Sequence, residues 1–291
     1  MLKVLIIGSS GILGREIFEK LIKKKNIKLF HTGLRRRIID FRNKNKLKKF
    51  IFSIDPDLII NCIAYTNVDE CEHNYKISEK INVQIVKEIF KIKVQKKMNF
   101  KLIQFSTDQF YNKKKNKSSK ENDKTFLLNN YCKHKKLAEI VCARNNCLIF
   151  RTNFFGKSKS KNKSFSDWVY KNFRAKKKIF LFKDVYFNPL SITTIANIIS
   201  FLIDEKKFFY KGIYNLGTRD AVYKNELAKS FAKKAKIYIK NYTDVNVNDF
   251  LKVRRPTNMF MDVNKFEKKF GFKLPYIRTE IIKEVNKYLK T

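Results

Sequence analysis

Glycine and proline are scarce in this 291-residue chain, at 8 and 4 residues, which leaves little room for flexible linkers. Three histidines and five cysteines (Cys62, Cys71, Cys132, Cys142 and Cys147), scattered without C-x-x-C spacing, argue against a structural zinc site, and no metal is expected. An odd set of free thiols suggests a reducing compartment. No stretch approaches the roughly 20 consecutive apolar residues that a membrane span needs. The apolar start, MLKVLII, runs directly into a glycine turn, with no small-residue cleavage signal behind it. The expectation is a cytoplasmic protein with no membrane partner.

Acidic residues are also few, 26 against 65 Lys and Arg, giving a formal charge of +39. Such a charge invites a nucleic-acid reading, because Lys and Arg bind phosphates by releasing counterions. The distribution speaks against it. Short runs such as Lys23–Lys25, Lys113–Lys115 and Lys176–Lys178 are spread along the whole chain, and no tail or single helix concentrates them. Abundant Lys, Asn, Ile and Phe beside little Gly, Pro and Ala fits a genome-wide codon bias. No nucleic-acid partner is expected, although such a surface draws anionic ligands. With 44% hydrophobic and 14% aromatic residues the chain is a folded one, long enough to bury a substantial core.

The order of elements is regular at first. LKVLII (2–7) is a buried-type strand, and Ile12, Leu13, Ile17, Phe18, Leu21 and Ile22 then recur at helical spacing. Strands are expected at 26–30, 55–65, 100–107 and 147–152, with helices over 78–93 and after Asn130; Pro56 breaks the helix before it. This alternation predicts an α/β fold, a Rossmann-type doubly wound parallel sheet. Regularity weakens after about residue 155. Residues 1–155 are read as the nucleotide-binding domain and 156–291 as a smaller mixed α/β substrate lobe, with the chain crossing back to the sheet near 185–217.

GSSGILG sets Gly8, Gly11 and Gly14 at G-x-x-G-x-x-G spacing between a strand and a helix. The first permits a tight turn, the second lets backbone N–H groups approach a pyrophosphate, and the third lets helix pack on strand. After the second strand, HTGLRRR carries no acid for a ribose hydroxyl and instead Arg35, Arg36 and Arg37, which suit a 2′-phosphate. FSTDQFY places Ser106, Thr107 and Asp108 at the end of the fourth strand, where a hydroxyl could meet a reacting carbonyl; a bare S-T-D is also an ordinary turn or cap. Tyr131 and Lys135 lie four residues apart in NNYCKHKKLAE, one helical turn, and by themselves decide nothing in a lysine-rich chain.

Taken in order, these segments resemble the extended short-chain dehydrogenase/reductases. The finer sequence is similar to the dTDP-4-dehydrorhamnose reductase branch. IIDFRN (38–43), PDLIINCIAYTNVDECE (56–72), INVQ (81–84), FSTDQFY, FRTNFFG (150–156), GIYNLG (212–217) and RRPTNMFMDVNKF (254–266) carry the likeness. The resemblance implies Thr107, Tyr131 and Lys135 as the catalytic residues. It implies NADPH as cofactor, with NADH as the alternative, held by Gly8, Ser10, Gly11, Ile12, Leu13, Gly14, Arg35, Asp40, Phe41, Cys62, Ile63, Ala64, Tyr65, Tyr131 and Lys135. A nucleotide-sugar substrate would meet Thr107, Asp108, Phe154 and Arg255. The implied activity is reduction of the C4 ketone of a nucleotide-activated 6-deoxy sugar for surface polysaccharide, with a homodimer left open.

Departures from the family pattern bear on the sugar. Cys132 stands where Gly is usual, His134 where Ser or Thr is usual, Phe154 in place of Trp, and Asn112-Lys113 in place of Asp-Gly. The alternatives are a reductase of another nucleotide sugar and a non-catalytic NADP-binding regulatory subunit. Intact Thr107, Tyr131 and Lys135 favour an enzyme.

Overall fold

The computed structural model describes residues 1–33, 43–114 and 117–290, which divide into two compact units. The first comprises residues 1–106, 129–150 and 196–213. Its sheet is built from β1 (Leu2–Ile7), β2 (Ile27–His31), β3 (Leu58–Asn61), β4 (Lys101–Phe105), β5 (Leu148–Thr152) and an edge strand, Gly212–Leu216. The spatial order is β2, β1, β3, β4, β5, edge strand. All of β3 and β5 is buried, as in a parallel sheet covered on both faces. β1 runs parallel to both neighbours, Val4 facing Leu29 of β2 and Leu58 of β3. The strand order therefore reverses at β1, and the crevice beyond the carboxyl ends of β1 and β3 is the place where such sheets hold ligands.

Helices Ile12–Leu21, Lys44–Ile54, Ile85–Gln95 and Asn130–Arg144 accompany this sheet. The apolar faces of the last three meet it in one core that includes Leu5, Leu47, Ile51, Ile89, Phe90, Ala138 and Ile149. Asn43 caps the second helix, accepting from the Lys46 N–H, and Asp55 in a left-handed conformation (φ 46°) ends it just before Pro56. Two expected elements differ. The strand read over 55–65 stops at Asn61: Cys62 N–H still donates to the Ile7 carbonyl of β1 (2.8 Å), but beyond it Ile63 N–H turns to Asn61 Oδ1 (3.2 Å) and Tyr65 N–H to Asn82 Oδ1 (2.9 Å). The helix read over 78–93 consists of Tyr75–Glu79, a π turn at Lys80–Gln84 and Ile85–Gln95.

The second unit comprises residues 107–128, 151–195 and 214–291. Helices Phe165–Arg174, Lys224–Lys234 and Ile277–Leu289 share a core with Phe155, Leu181 and Phe187. Short strand pairs accompany them, among them Ile179–Phe182 parallel to Tyr242–Val245 and Phe154–Phe155 parallel to Leu190–Ser191. Two carboxylates are fully buried here. Glu280 accepts from Ser191 N–H (2.8 Å), Thr194 Oγ1 (2.8 Å) and Lys283 Nζ (3.3 Å). Glu284 accepts from Lys157 N–H (3.0 Å), Thr193 Oγ1 (3.0 Å) and Lys287 Nζ (2.8 Å).

Candidate active site

In the first unit, β1 ends at Ile7 and the chain turns at Gly8, whose φ of +84° favours glycine. A Cβ at Gly8 would also lie 2.8 Å from Ile63 N, so the turn presses on the segment after β3. A Cβ at Gly14 would lie 2.3 Å from the Gly8 carbonyl, which is why helix Ile12–Leu21 can start so close to β1. Gly11 N–H is spent on the Gly8 carbonyl (3.1 Å). That helix has no side-chain cap and no acid in its first turn, so its N-terminal N–H groups and dipole suit an anion. Ser10 is exposed at this end, Gly11 and Ile12 are half-buried, and Leu13 points into the core.

Thr32 holds the turn from behind. Its Oγ1 accepts from Gly8 N–H (3.0 Å), and its carbonyl accepts from the Ser9 hydroxyl. The motif reading does not single out this residue, which lies 24 positions from Gly8. Arg35, Asp40 and Phe41, together with Arg36 and Arg37, lie outside the described residues.

Tyr131 and Lys135 both fall in helix Asn130–Arg144 and both are buried. Asn129 caps this helix through the Cys132 N–H (3.0 Å), and Asn130 N–H donates to Glu72 Oε2 (2.9 Å). Lys135 Nζ donates to the Phe105 carbonyl at the end of β4 (2.7 Å). The same carbonyl accepts from Gln104 Nε2 (2.9 Å), and Gln104 Oε1 accepts from Asn61 Nδ2 (2.8 Å), so side chains of β3 and β4 fix the acceptor. Burial lowers the Lys135 pKa to about 8, against the opposing pull of Cys142, Glu139 and Cys62. Burial likewise pushes the Cys62 thiol well above its ordinary range. Cys62, Ile63, Ala64 and Tyr65 are all half-buried in the segment after β3. The following helical turn carries Glu139, which takes Ser106 Oγ (3.0 Å) and Lys136 Nζ (3.1 Å). Ser106 belongs to the FSTDQFY segment already singled out, whereas Glu139, Asn61 and Gln104 are contributors that the motifs alone do not reveal; their one sequence signal is their place at strand ends or a turn beyond Lys135.

In the second unit Thr107 and Asp108 are buried. Thr107 Oγ1 accepts from Gln109 N–H (3.2 Å) and approaches Asp108 Oδ1 (3.4 Å), the turn geometry that a bare S-T-D allows. Asp108 Oδ2 accepts from Asn153 Nδ2 (2.9 Å), and burial raises its carboxyl to about 7. Asn153 Oδ1 in turn accepts from Phe154 N–H (2.8 Å), which ties the half-buried Phe154 to Asp108. Arg255 is half-buried, its backbone bonded to Asn248 (2.7 and 3.0 Å) and its Nη1 donating to the Val253 carbonyl (2.8 Å). Among the described residues no group of three or more His, Cys, Asp or Glu could hold a metal ion, and no helix is long and apolar enough to cross a membrane.

Known proteins share this sequence pattern and this fold. The sequence model of the family described as RmlD substrate binding domain matches residues 2–290. A dTDP-4-dehydrorhamnose reductase of Escherichia coli strain K12 is 25% identical over 302 residues, which cover 100% of this chain and 99% of that protein. The crystal structure of a dTDP-4-dehydrorhamnose reductase from Clostridium acetobutylicum superposes with a TM-score of 0.87 at 23% identity, covering 100% of both chains. That of a Bacillus anthracis dTDP-4-dehydrorhamnose reductase in complex with NADP gives 0.86 at 21%, again covering 100% of both. Both structures share the Rossmann-like fold.

Proposed function

The chain belongs to the family of the RmlD substrate binding domain, and from that premise we propose that it is an NADPH-dependent sugar-nucleotide reductase. Its substrate is a nucleotide-activated 4-keto-6-deoxy sugar, of the dTDP-4-dehydrorhamnose to dTDP-L-rhamnose type, used in surface polysaccharide. One observation carries the reading: a buried ammonium, Lys135, sits one helical turn from a buried phenol, Tyr131, and both follow an uncapped helix end at a glycine turn.

Bound NADPH supplies the hydride for the C4 carbon. Tyr131 gives its phenolic proton to the C4 oxygen. A free phenol has a pKa near 10 and becomes a useful acid and base near neutrality where its anion is stabilised, which the Lys135 charge does. Lys135 also holds the ribose hydroxyls next to the nicotinamide. Thr107 donates a hydrogen bond to the sugar carbonyl, Asp108 and Phe154 line the sugar, and Arg255 attracts the diphosphate. The Gly8–Gly14 turn takes the cofactor pyrophosphate, and the segment Cys62–Tyr65 flanks the nicotinamide side. Arg35 with its two neighbours recognises the 2′-phosphate, and Asp40 and Phe41 complete that end. We assign residues 1–155 largely to the cofactor and 156–291 to the substrate. A cytoplasmic location, a homodimer and the absence of a nucleic-acid partner belong to the same proposal.

The test is NADPH consumption on adding a dTDP-4-keto-6-deoxy sugar to the purified chain, with UDP and GDP analogues beside it. Sugar-dependent oxidation and tighter binding of NADPH than of NADH are expected. No turnover with any of the three would overturn the reading.

A further inference from the structure

His134 lies between the two residues proposed for proton transfer, on the same helix, and is fully buried. Its ring meets Tyr75 edge to face, with centroids 4.7 Å apart and planes at 65°. Its Nδ1 is 2.8 Å from Ser78 Oγ, and both partners are inaccessible to water. Ser78 Oγ accepts from Asn82 Nδ2 (3.3 Å). Asn82, in the π turn Lys80–Gln84, takes hold of both backbone groups of Tyr65, donating to its carbonyl (3.0 Å) and accepting from its N–H (2.9 Å). An unbroken line of side chains thus runs His134, Ser78, Asn82, Tyr65. π turns insert one residue into a helix and are frequent at functional sites. Because Ser78 Oγ accepts from Asn82, its own proton is available to Nδ1, and a neutral ring completes the line. Burial, the main influence on this histidine, keeps it below the ordinary range and so neutral.

We propose that His134 is a positioning residue that couples the helix bearing Tyr131 and Lys135, through Ser78 and Asn82, to the backbone of the cofactor-flanking segment Cys62–Tyr65. The inference rests on the proposed function, which places NADPH against that segment and against Lys135. One end of the line is a covalent neighbour of Lys135, and the other is the Tyr65 amide. A shift at His134 therefore changes the spacing between two groups that bind one ligand, and such spacing is felt strongly in affinity and rate. Burial of the ring alone would explain a loss of stability on substitution; it would not explain why the effect passes through Ser78.

The experiment measures NADPH dissociation constants and denaturant midpoints for the full chain and for His134→Leu, His134→Asn, Ser78→Ala and the Leu/Ala double variant. His134→Leu and Ser78→Ala should each raise the NADPH constant about tenfold, the scale of one buried hydrogen bond. The double variant should be no worse than either, because both cut one line. His134→Asn, which keeps a polar group near the Nδ1 position, should recover most of the affinity even where its midpoint stays lowered. An NADPH constant within twofold of wild type for Ser78→Ala, additive losses in the double variant, or no recovery with His134→Asn each overturns the inference. Should His134→Leu fail to fold, Ser78→Ala and His134→Asn decide it. A wild-type chain that does not bind NADPH overturns the functional reading and this inference together, whereas normal wild-type binding with unmoved variants overturns the inference alone.

Discussion

The two units bury charge in opposite ways. In the first, the Lys135 ammonium has three protons to donate and, among the described residues, one hydrogen-bond partner, the Phe105 carbonyl. In the second, Glu280 and Glu284 each receive a backbone N–H, a threonine hydroxyl and a lysine. A buried charge supplied with partners on every side has nothing left to bind and serves to fix helix Ile277–Leu289. A buried charge with unspent donors costs stability in the free protein and repays it when a ligand arrives. On the proposed function, buried charge marks scaffold in one place and site in the other, and the count of partners tells them apart.

Substitutions can break that contrast or sharpen it. Tyr131→Phe should have the largest effect, lowering kcat about 10²–10⁴-fold with the NADPH constant and the unfolding midpoint close to wild type. A near-normal kcat would make the first unit's buried pair ordinary packing. Next in size, Glu280→Ala should cost about 3 kcal/mol of stability, because the Ser191 N–H, the Thr194 hydroxyl and the Lys283 ammonium all lose their acceptor. A urea midpoint unchanged by that variant would remove the distinction between the units. Lys135→Met should weaken NADPH binding about tenfold, on the scale of one charged hydrogen bond, yet leave the free protein as stable as before or more so.

That last contrast has a pH signature. The folded Lys135 pKa of about 8 lies below the ordinary value of 10.5, so the unfolded chain holds this proton more tightly. The resulting cost to folding is complete below about pH 8 and disappears as pH rises toward 10.5. The stability advantage of Lys135→Met should shrink over the same interval, measured without nucleotide by urea unfolding; an advantage that grows with pH has the wrong sign. Smallest of the set, Phe154→Ala should raise the sugar KM a few-fold, by loss of ring contact, with the NADPH constant unmoved.

What was legible in the sequence was local. The apolar run of β1, the Gly8–Gly11–Gly14 spacing and the four-residue step from Tyr131 to Lys135 each depend on neighbours within a turn or two, and periodicity exposes such features. What supports them is distant in the chain. Thr32 reaches Gly8 over 24 residues, Asn82 reaches Tyr65 over 17, and His134 meets Ser78 over 56. No local pattern encodes those partners, since a buried Asn and an exposed one read alike. Glu280 and Glu284 are a sharper case. In YIRTEIIKEVNKYL they share the buried face of Ile277, Ile281, Val285 and Tyr288, so spacing marks them for burial, yet the groups that satisfy them, Ser191, Thr194, Lys157 and Thr193, lie far away in the chain. The end of β3 at Asn61 was hidden for a related reason: the apolar run continues through Ile63 and Ala64, but side-chain acceptors take the backbone out of the sheet.

The order in which residues of the first unit occur along the chain has a consequence for its birth on the ribosome. Residues 196–213 belong to that unit, and Gly212 N–H bonds to the Cys147 carbonyl to bring the edge strand onto the sheet. A nascent chain that ends before residue 196 therefore carries β5, all of it destined for burial, without the strand that closes its flank. An apolar strand with an open edge is a template for pairing with other chains. Synthesis must pass the edge strand before the sheet is safe, so a slow stretch of translation between residues 150 and 212 should lower the soluble yield, while the same pause well beyond residue 216 should not.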